Sequence, residues 1–148
     1  MSLSQLATTV RIVSPQTTLE QAARHMTNES IGSLLIRDDA EGAVRGIVTD
    51  RDLVKQIAAG HDPKTTTLEG FVGLRVHMVP EGATRSEISR AMRQHGVRRM
   101  PIVNQEGDVT GLVSLDDLLV ELGQELFDLS RAIHAEFQHE APTPDPDR

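Results

Sequence analysis

The chain contains the same stretch twice, and that repetition constrains its fold more than any other feature. Gly46-Ile47-Val48-Thr49-Asp50-Arg51-Asp52-Leu53 returns as Gly111-Leu112-Val113-Ser114-Leu115-Asp116-Asp117-Leu118. Both copies read Gly, two apolar strand formers, a hydroxyl residue, two variable positions, Asp and Leu. A short apolar run makes a buried strand; the Thr or Ser then ends it and caps a helix, with Asp three residues on. The likeness extends upstream. Allowing one inserted residue, Ile31 to Ile36 falls on Val97 to Ile102, Thr18 on Thr84 and Met26 on Met92. Such a period marks a tandem duplication with units of about 50–60 residues.

Each copy predicts the order β-α-β-β-α. Val10 to Val13 alternates as a short strand closed by Ser14-Pro15. Thr17 and Thr18, with Glu20 and Gln21 three residues on, form overlapping capping boxes. The helix that follows buries Leu19, Ala22, Ala23 and Met26 and ends at Asn28-Glu29-Ser30. Leu34 to Ile36 and Val44 to Val48 form a hairpin around the turn at residues 38–42, and a helix runs from Asp50 to about Ala59, stopped by Gly60. Residues 60–73 join the copies, with the threonines at 65–67 placed to cap a short turn through Leu68 and Phe71. The order then recurs as strand 74–79, helix 84–95, strand 99–103, strand 109–113 and a final helix. The expected division is 1–66 and 67–125 for the two units, 126–140 for a helical extension and 141–148 for a disordered, proline-punctuated tail.

The last helix departs from the repeat by running past the point where its counterpart stops, toward Phe137. Leu115, Leu119, Leu122, Leu126, Leu129 and Ile133 recur in steps of 4, 3, 4, 3, 4. Such a seam is covered either by its own domain, over its first half, or by a partner chain, beyond Glu125. Gly123 weakens it.

Composition narrows the function. A net charge of −7 argues against nucleic-acid backbone as the main partner. The absence of cysteine excludes disulfides and thiolate metal sites. The first residues lack the pattern of a secretory signal, and no apolar run approaches a bilayer span, so a soluble, cytoplasmic protein is expected. The six histidines show no metal-ligand spacing. His95 ends a helix, as a partner for its dipole. Phosphate-loop, dinucleotide and nucleophile-elbow patterns are missing, and no enzyme activity is expected.

The two Gly-x-x-Thr/Ser-x-x-Asp motifs, the strand Val97-Arg98-Arg99-Met100-Pro101-Ile102 and the start Val13-Ser14-Pro15-x-x-Thr18 resemble the CBS domain in its usual tandem pair, over about residues 10–125. The resemblance implies an α+β fold in which two β-α-β-β-α repeats pack with pseudo-twofold symmetry into a Bateman module. It also implies adenosine-containing ligands in the clefts between repeats, and dimerisation into a flat disc. No cofactor is required; an adenosine nucleotide of the AMP, ADP or ATP class would be a regulatory ligand, with signalling through a dimer or an unidentified regulated protein. The candidate ligand-binding residues are Val13, Thr18, Gly46, Thr49, Arg51, Asp52, Val79, Thr84, Arg98, Arg99, Pro101, Gly111, Ser114 and Asp117.

The chemistry of these residues fits such a ligand. A carboxylate only accepts hydrogen bonds and can take both ribose hydroxyls, which suits Asp52 and Asp117. The helix starts behind Thr49 and Ser114 offer N–H groups and a positive dipole end to phosphate. Gly46 and Gly111 permit close backbone approach, and Val13 or Val79 offers backbone groups to the adenine edge. Thr-x-x-Asp and Ser-x-x-Asp are equally the pattern of a capping box, in which the acid reaches back to the cap residue. Arg98 and Arg99 read either as solvated strand-end charges or as phosphate partners. The first repeat has Gly32-Ser33 at that place, leaving its cleft poorer in charge, with Arg51 as a substitute. The competing function is a ligand-free scaffold of the same fold that dimerises through the final helix; an enzyme or metal site assembled from distant residues is a third.

Overall fold

The computed structural model describes residues 10–38 and 42–139; the centre of the expected turn at 38–42 and the expected tail from 141 lie outside them. The repeated sequence folds into repeated structure. The first unit comprises β1 (Ile12–Val13), α1 (Leu19–Glu29), β2 (Ser33–Ile36), β3 (Gly46–Thr49) and α2 (Asp50–Ala58). After a single 3-10 turn at Leu68–Phe71 come β4 (Val79–Pro80), α3 (Arg85–His95), β5 (Arg99–Val103), β6 (Val109–Ser114) and α4 (Leu115–His139).

Each unit carries a three-stranded sheet in sequence order, its first pair parallel and its second antiparallel. Register follows the duplication: Ser33 pairs with Thr49 as Arg99 pairs with Ser114, and Ile36 with Gly46 as Ile102 with Gly111. The first strand of each unit is shorter than expected. Leu74 and Arg75 are exposed, and β4 pairs with β5 only at Ile102 and Val103, so the alternation before Val79 has no neighbouring strand to face.

All four helices begin at a reciprocal cap. In α1 the box is Thr18 with Gln21, not Thr17 with Glu20, and in α3 it is Thr84 with Glu87. Helix ends also correspond. Gly96 closes α3 at φ 64°, and Ser30 closes α1 at φ 53°, a left-handed conformation that side-chain-bearing residues adopt at a cost.

The two cores match position for position, with Met26, Leu34, Ile36, Val48 and Leu53 answered by Met92, Met100, Ile102, Val113 and Leu118. The joint between units is held by the first. Leu68 is fully buried in the first core, with Phe71 and Val72 packed against it, and Leu68 N–H donates to Thr17 O at 2.9 Å. Burying that one side chain contributes on the order of 1.5–3 kcal/mol.

Helix α4 runs for 25 residues. It turns Leu118 and Glu121 inward, Glu121 meeting Arg85 of α3 at 3.4 Å, while Arg85 also bonds Glu125 at 2.6 Å. The seam itself is not covered by its own domain even over the first half. Only Leu115 packs on the core; Leu119, Leu122, Leu126, Leu129 and Ile133 are exposed. The seam and the buried face are different faces of one helix, because a step of one residue turns the side chain by about 100°.

Candidate ligand-binding clefts

Two clefts lie where the units meet, and each is built from both. The larger, about 750 Å³, takes Thr49, Asp50, Arg51 and Asp52 from the start of α2. Facing them are Gly96 to Arg99, where α3 gives way to β5, and Asp116 at the start of α4. The smaller, about 160 Å³, takes Ser114 and Asp117 from the second unit and Ser30, Gly32 and Ser33 from the first, with Arg99 again in its wall. A third hollow is lined by Ser130, Arg131, His134 and Ala135 of α4 alone.

The crossing changes the expected charge assignment. Both Arg98 and Arg99 line the cleft of Thr49, Arg51 and Asp52 of the first repeat, and only Arg99 also lines the cleft of Ser114 and Asp117. It is the cleft of Ser114 and Asp117 that receives Gly32 and Ser33 and is poor in cations. The larger cleft therefore gathers Thr49, Arg51, Asp52, Arg98 and Arg99 of the expected residues. Its lining carries three guanidinium groups and three carboxylates. Asp116 holds Arg98 at 3.0 Å, both being well exposed, and Asp50 and Asp52 stand at the helix start.

Both acids of the repeated motif are caps. Thr49 donates its backbone N–H and its hydroxyl to Asp52 Oδ2, at 2.9 and 2.8 Å. Ser114 does the same to Asp117 Oδ2, at 2.9 and 2.6 Å. In each carboxylate Oδ1 takes no hydrogen bond from another described residue, so its lone pairs remain for a ligand hydroxyl. Capping and ligand binding are thus compatible on one side chain.

The helix start itself is less available to phosphate than its position implied. At α2 the N–H of Asp50 donates to Gly32 O at 3.1 Å, that of Arg51 to Asp50 Oδ1 at 2.8 Å, and that of Asp52 to the Thr49 hydroxyl at 3.3 Å. At α4 Leu115 N–H is taken by Arg98 O at 2.8 Å and Asp117 N–H by the Ser114 hydroxyl at 3.1 Å.

The remaining expected residues line neither cleft. Thr18 and Thr84 cap α1 and α3. Val13 and Val79 are buried in the two cores, and Val13 O accepts Arg37 N–H at 3.0 Å. Pro101 and Gly111 are buried within the second sheet. Gly46 does permit a close approach, but of the chain to itself: a Cβ there would stand 2.5 Å from Phe71 O.

Gly32 and Ser33, expected in a charge-poor cleft, line the smaller one. Sequence reasoning missed Asp50 and Asp116 in the cleft walls, which occupy the variable positions of the motif. It also missed that His95, in the last turn of α3, stacks on His77 with ring centroids 3.6 Å apart. Partial burial holds the His77 pKa below its ordinary value, assisted by the neighbouring charges of His95 and Arg75. Among the described residues no three His, Asp or Glu side chains are grouped to hold a metal, and no helix is long and apolar enough to cross a membrane.

Paired three-stranded units meeting at two clefts are the architecture of a tandem regulatory module. The chain belongs to the CBS-domain family, whose model matches residues 4–59 and again 73–123. It is 34% identical over 116 residues to the CBS domain-containing protein YhcV of Bacillus subtilis, covering 78% of this chain and 80% of that one. Its fold is similar to that of a protein with CBS domains from Burkholderia ambifaria, with a TM-score of 0.73 and 25% identity over 82% of this chain and 93% of the other. It is also similar to the CBS domain protein PAE2072 from Pyrobaculum aerophilum, a structure complexed with AMP, with a TM-score of 0.69 over 84% of this chain and 99% of the other. At 20% identity that last likeness is one of fold alone.

Proposed function

We propose that the chain is a regulatory module that binds an adenosine-containing nucleotide in the larger cleft and signals through its own dimer or a partner protein. The observation that carries this reading is the convergence, on a cleft of about 750 Å³, of Asp52 with one unengaged oxygen and Arg51, Arg98 and Arg99. That volume is in the range of small-molecule sites. Asp52 Oδ1 is a ribose acceptor, and the arginines arriving from the other unit are phosphate donors. The binding of AMP by PAE2072, on the same fold, supports the ligand class.

Differential scanning fluorimetry against AMP, ADP, ATP, NAD and S-adenosylmethionine tests it, since a ligand that binds only the folded chain raises Tm with concentration. A Tm indifferent to all five leaves the scaffold reading. One observation favours a dimer under either reading. Val54 and Ile57 on α2 and Leu119 and Leu122 on α4 occupy equivalent positions of the two units, and all four are exposed. A twofold contact pairs such a face with its own copy.

A further inference from the structure

A single side chain stands between the two clefts. Arg99 opens β5 and lines both. Its counterpart in the first unit is Ser33, which is too short to reach across. Arg99 does reach across, and its guanidinium lies against the backbone of Gly32. A Cβ at residue 32 would stand 2.8 Å from Arg99 Nη2, 3.4 Å from Cζ and 3.7 Å from Asp50 Oδ2, so a side chain there would push the flexible end of Arg99 away from this position. No hydrogen bond or ion pair from another described residue holds it there. Among the described residues lining the smaller cleft it is the one cation, and Asp117 the one anion.

With Arg99 seated, the smaller cleft measures about 160 Å³. Ligand sites begin at about 300 Å³. We propose that Arg99 is a plug, an inference that rests on the nucleotide reading above. Seated on Gly32, it keeps the smaller cleft below nucleoside size; a phosphate held in the larger cleft draws the guanidinium over and opens the smaller one. A guanidinium that no described residue bonds at its seat gains charge-assisted, two-pronged hydrogen bonds on reaching phosphate. That differential affinity is what a population shift requires. Once vacated, the smaller cleft keeps Asp117 and loses its cation, so it favours an uncharged nucleoside over a second phosphate-bearing one.

Calorimetric titration of the full chain with adenosine and with AMP tests this in the wild type, in Arg99→Ser, which copies Ser33, and in Arg99→Gln, which keeps the stem. The wild type is expected to take one adenosine per chain and each variant two. AMP affinity at the tighter site should fall about tenfold or more in the variants, with the loss of hydrogen bonds to a charged group. Any other pairing of adenosine stoichiometries overturns the plug. If no protein binds adenosine or AMP, the nucleotide reading fails, and the amide NMR signals of Gly32 and Ser33 under inorganic phosphate decide the plug separately. Shifts in the wild type that vanish in Arg99→Ser support it; no shift in the wild type, or equal shifts in both, overturns it.

Discussion

Thr49 satisfies its capping need with one oxygen of Asp52, donating to Oδ2 twice and leaving Oδ1 without a hydrogen bond from another described residue. The two roles of the acid are therefore separable by measurement. Asp52→Ala removes both, and is expected to cost the cap's ~1 kcal/mol of stability. It should also cost about 1.5–3 kcal/mol of AMP affinity, the range for hydrogen bonds to a charged group. Asp117→Ala should show the same stability loss with a smaller effect on AMP. Denaturant unfolding and calorimetry read the two quantities; unchanged AMP affinity in Asp52→Ala would reduce that residue to a cap.

The duplication was legible in the sequence because core positions repeat with it. Met26 and Met92, or Ile36 and Ile102, align in the repeat and hold equivalent places in the two separate cores. Caps were legible for the same local reason, a hydroxyl and an acid or amide three residues apart. Which halves share a cleft was not. Arg98 lines the cleft of Asp52 and Arg99 lines that cleft as well as the one of Asp117 because of how the units dock, and no local spacing encodes docking. Asp50 and Asp116 escaped notice because the positions after a cap vary in a pattern that only capping was read from. The His77–His95 stack joins a loop to a helix end, a contact that periodicity does not see.

Arg98 tests whether the larger cleft reads phosphate. Its partner Asp116 is as exposed as it is, so their pairing is screened and of small value. Arg98→Ala is expected to leave stability within about 0.5 kcal/mol, as surface substitutions do, and to weaken AMP more than adenosine. The difference between the ligands should shrink as salt is raised. An equal effect on AMP and adenosine rules out a phosphate role for Arg98.

Gly46 tests an expectation of ligand contact against one of packing. A Cβ there meets Phe71 O at 2.5 Å and Ile36 Cδ1 at 3.2 Å. Gly46→Ala is expected to lower unfolding stability by about 1–3 kcal/mol, the cost of overpacking. AMP affinity of the remaining folded protein should stay unchanged. A variant as stable as the wild type would mean that Phe71 and the joint yield freely.

His77 makes stability sensitive to acid. Its pKa is lowered in the folded chain from the ordinary 6.5, chiefly by burial and then by the charge of His95. Above that ordinary value the imidazole is neutral in both states and contributes no pH dependence. As pH falls through 6.5 the unfolded chain takes up a proton that the folded chain resists, so stability declines, levelling off below the folded pKa. His77→Asn should flatten this part of the Tm–pH profile; an unchanged slope would assign it to other groups.

The exposed seam of α4 bears on assembly. The helix is 25 residues long, and at 1.5 Å per residue it spans about 37 Å. Among its described residues its own units cover Leu115, Asp117, Leu118 and Glu121, all near its start. Leaving Leu126, Leu129 and Ile133 in water forgoes on the order of 1.5–3 kcal/mol for each side chain. An isologous contact recovers that energy by laying each helix against its copy. Light scattering of the full chain should give the mass of a dimer, and Leu126→Glu with Leu129→Glu should give a monomer. Both substitutions fall on side chains that touch no core, so far-UV circular dichroism of the variant should match the wild type. Truncation after Gly123 provides the second route, removing the outer seam and leaving Leu118 and Glu121 in place. A wild-type chain that remains monomeric at high micromolar concentration would sink the dimer and leave the seam to a different partner.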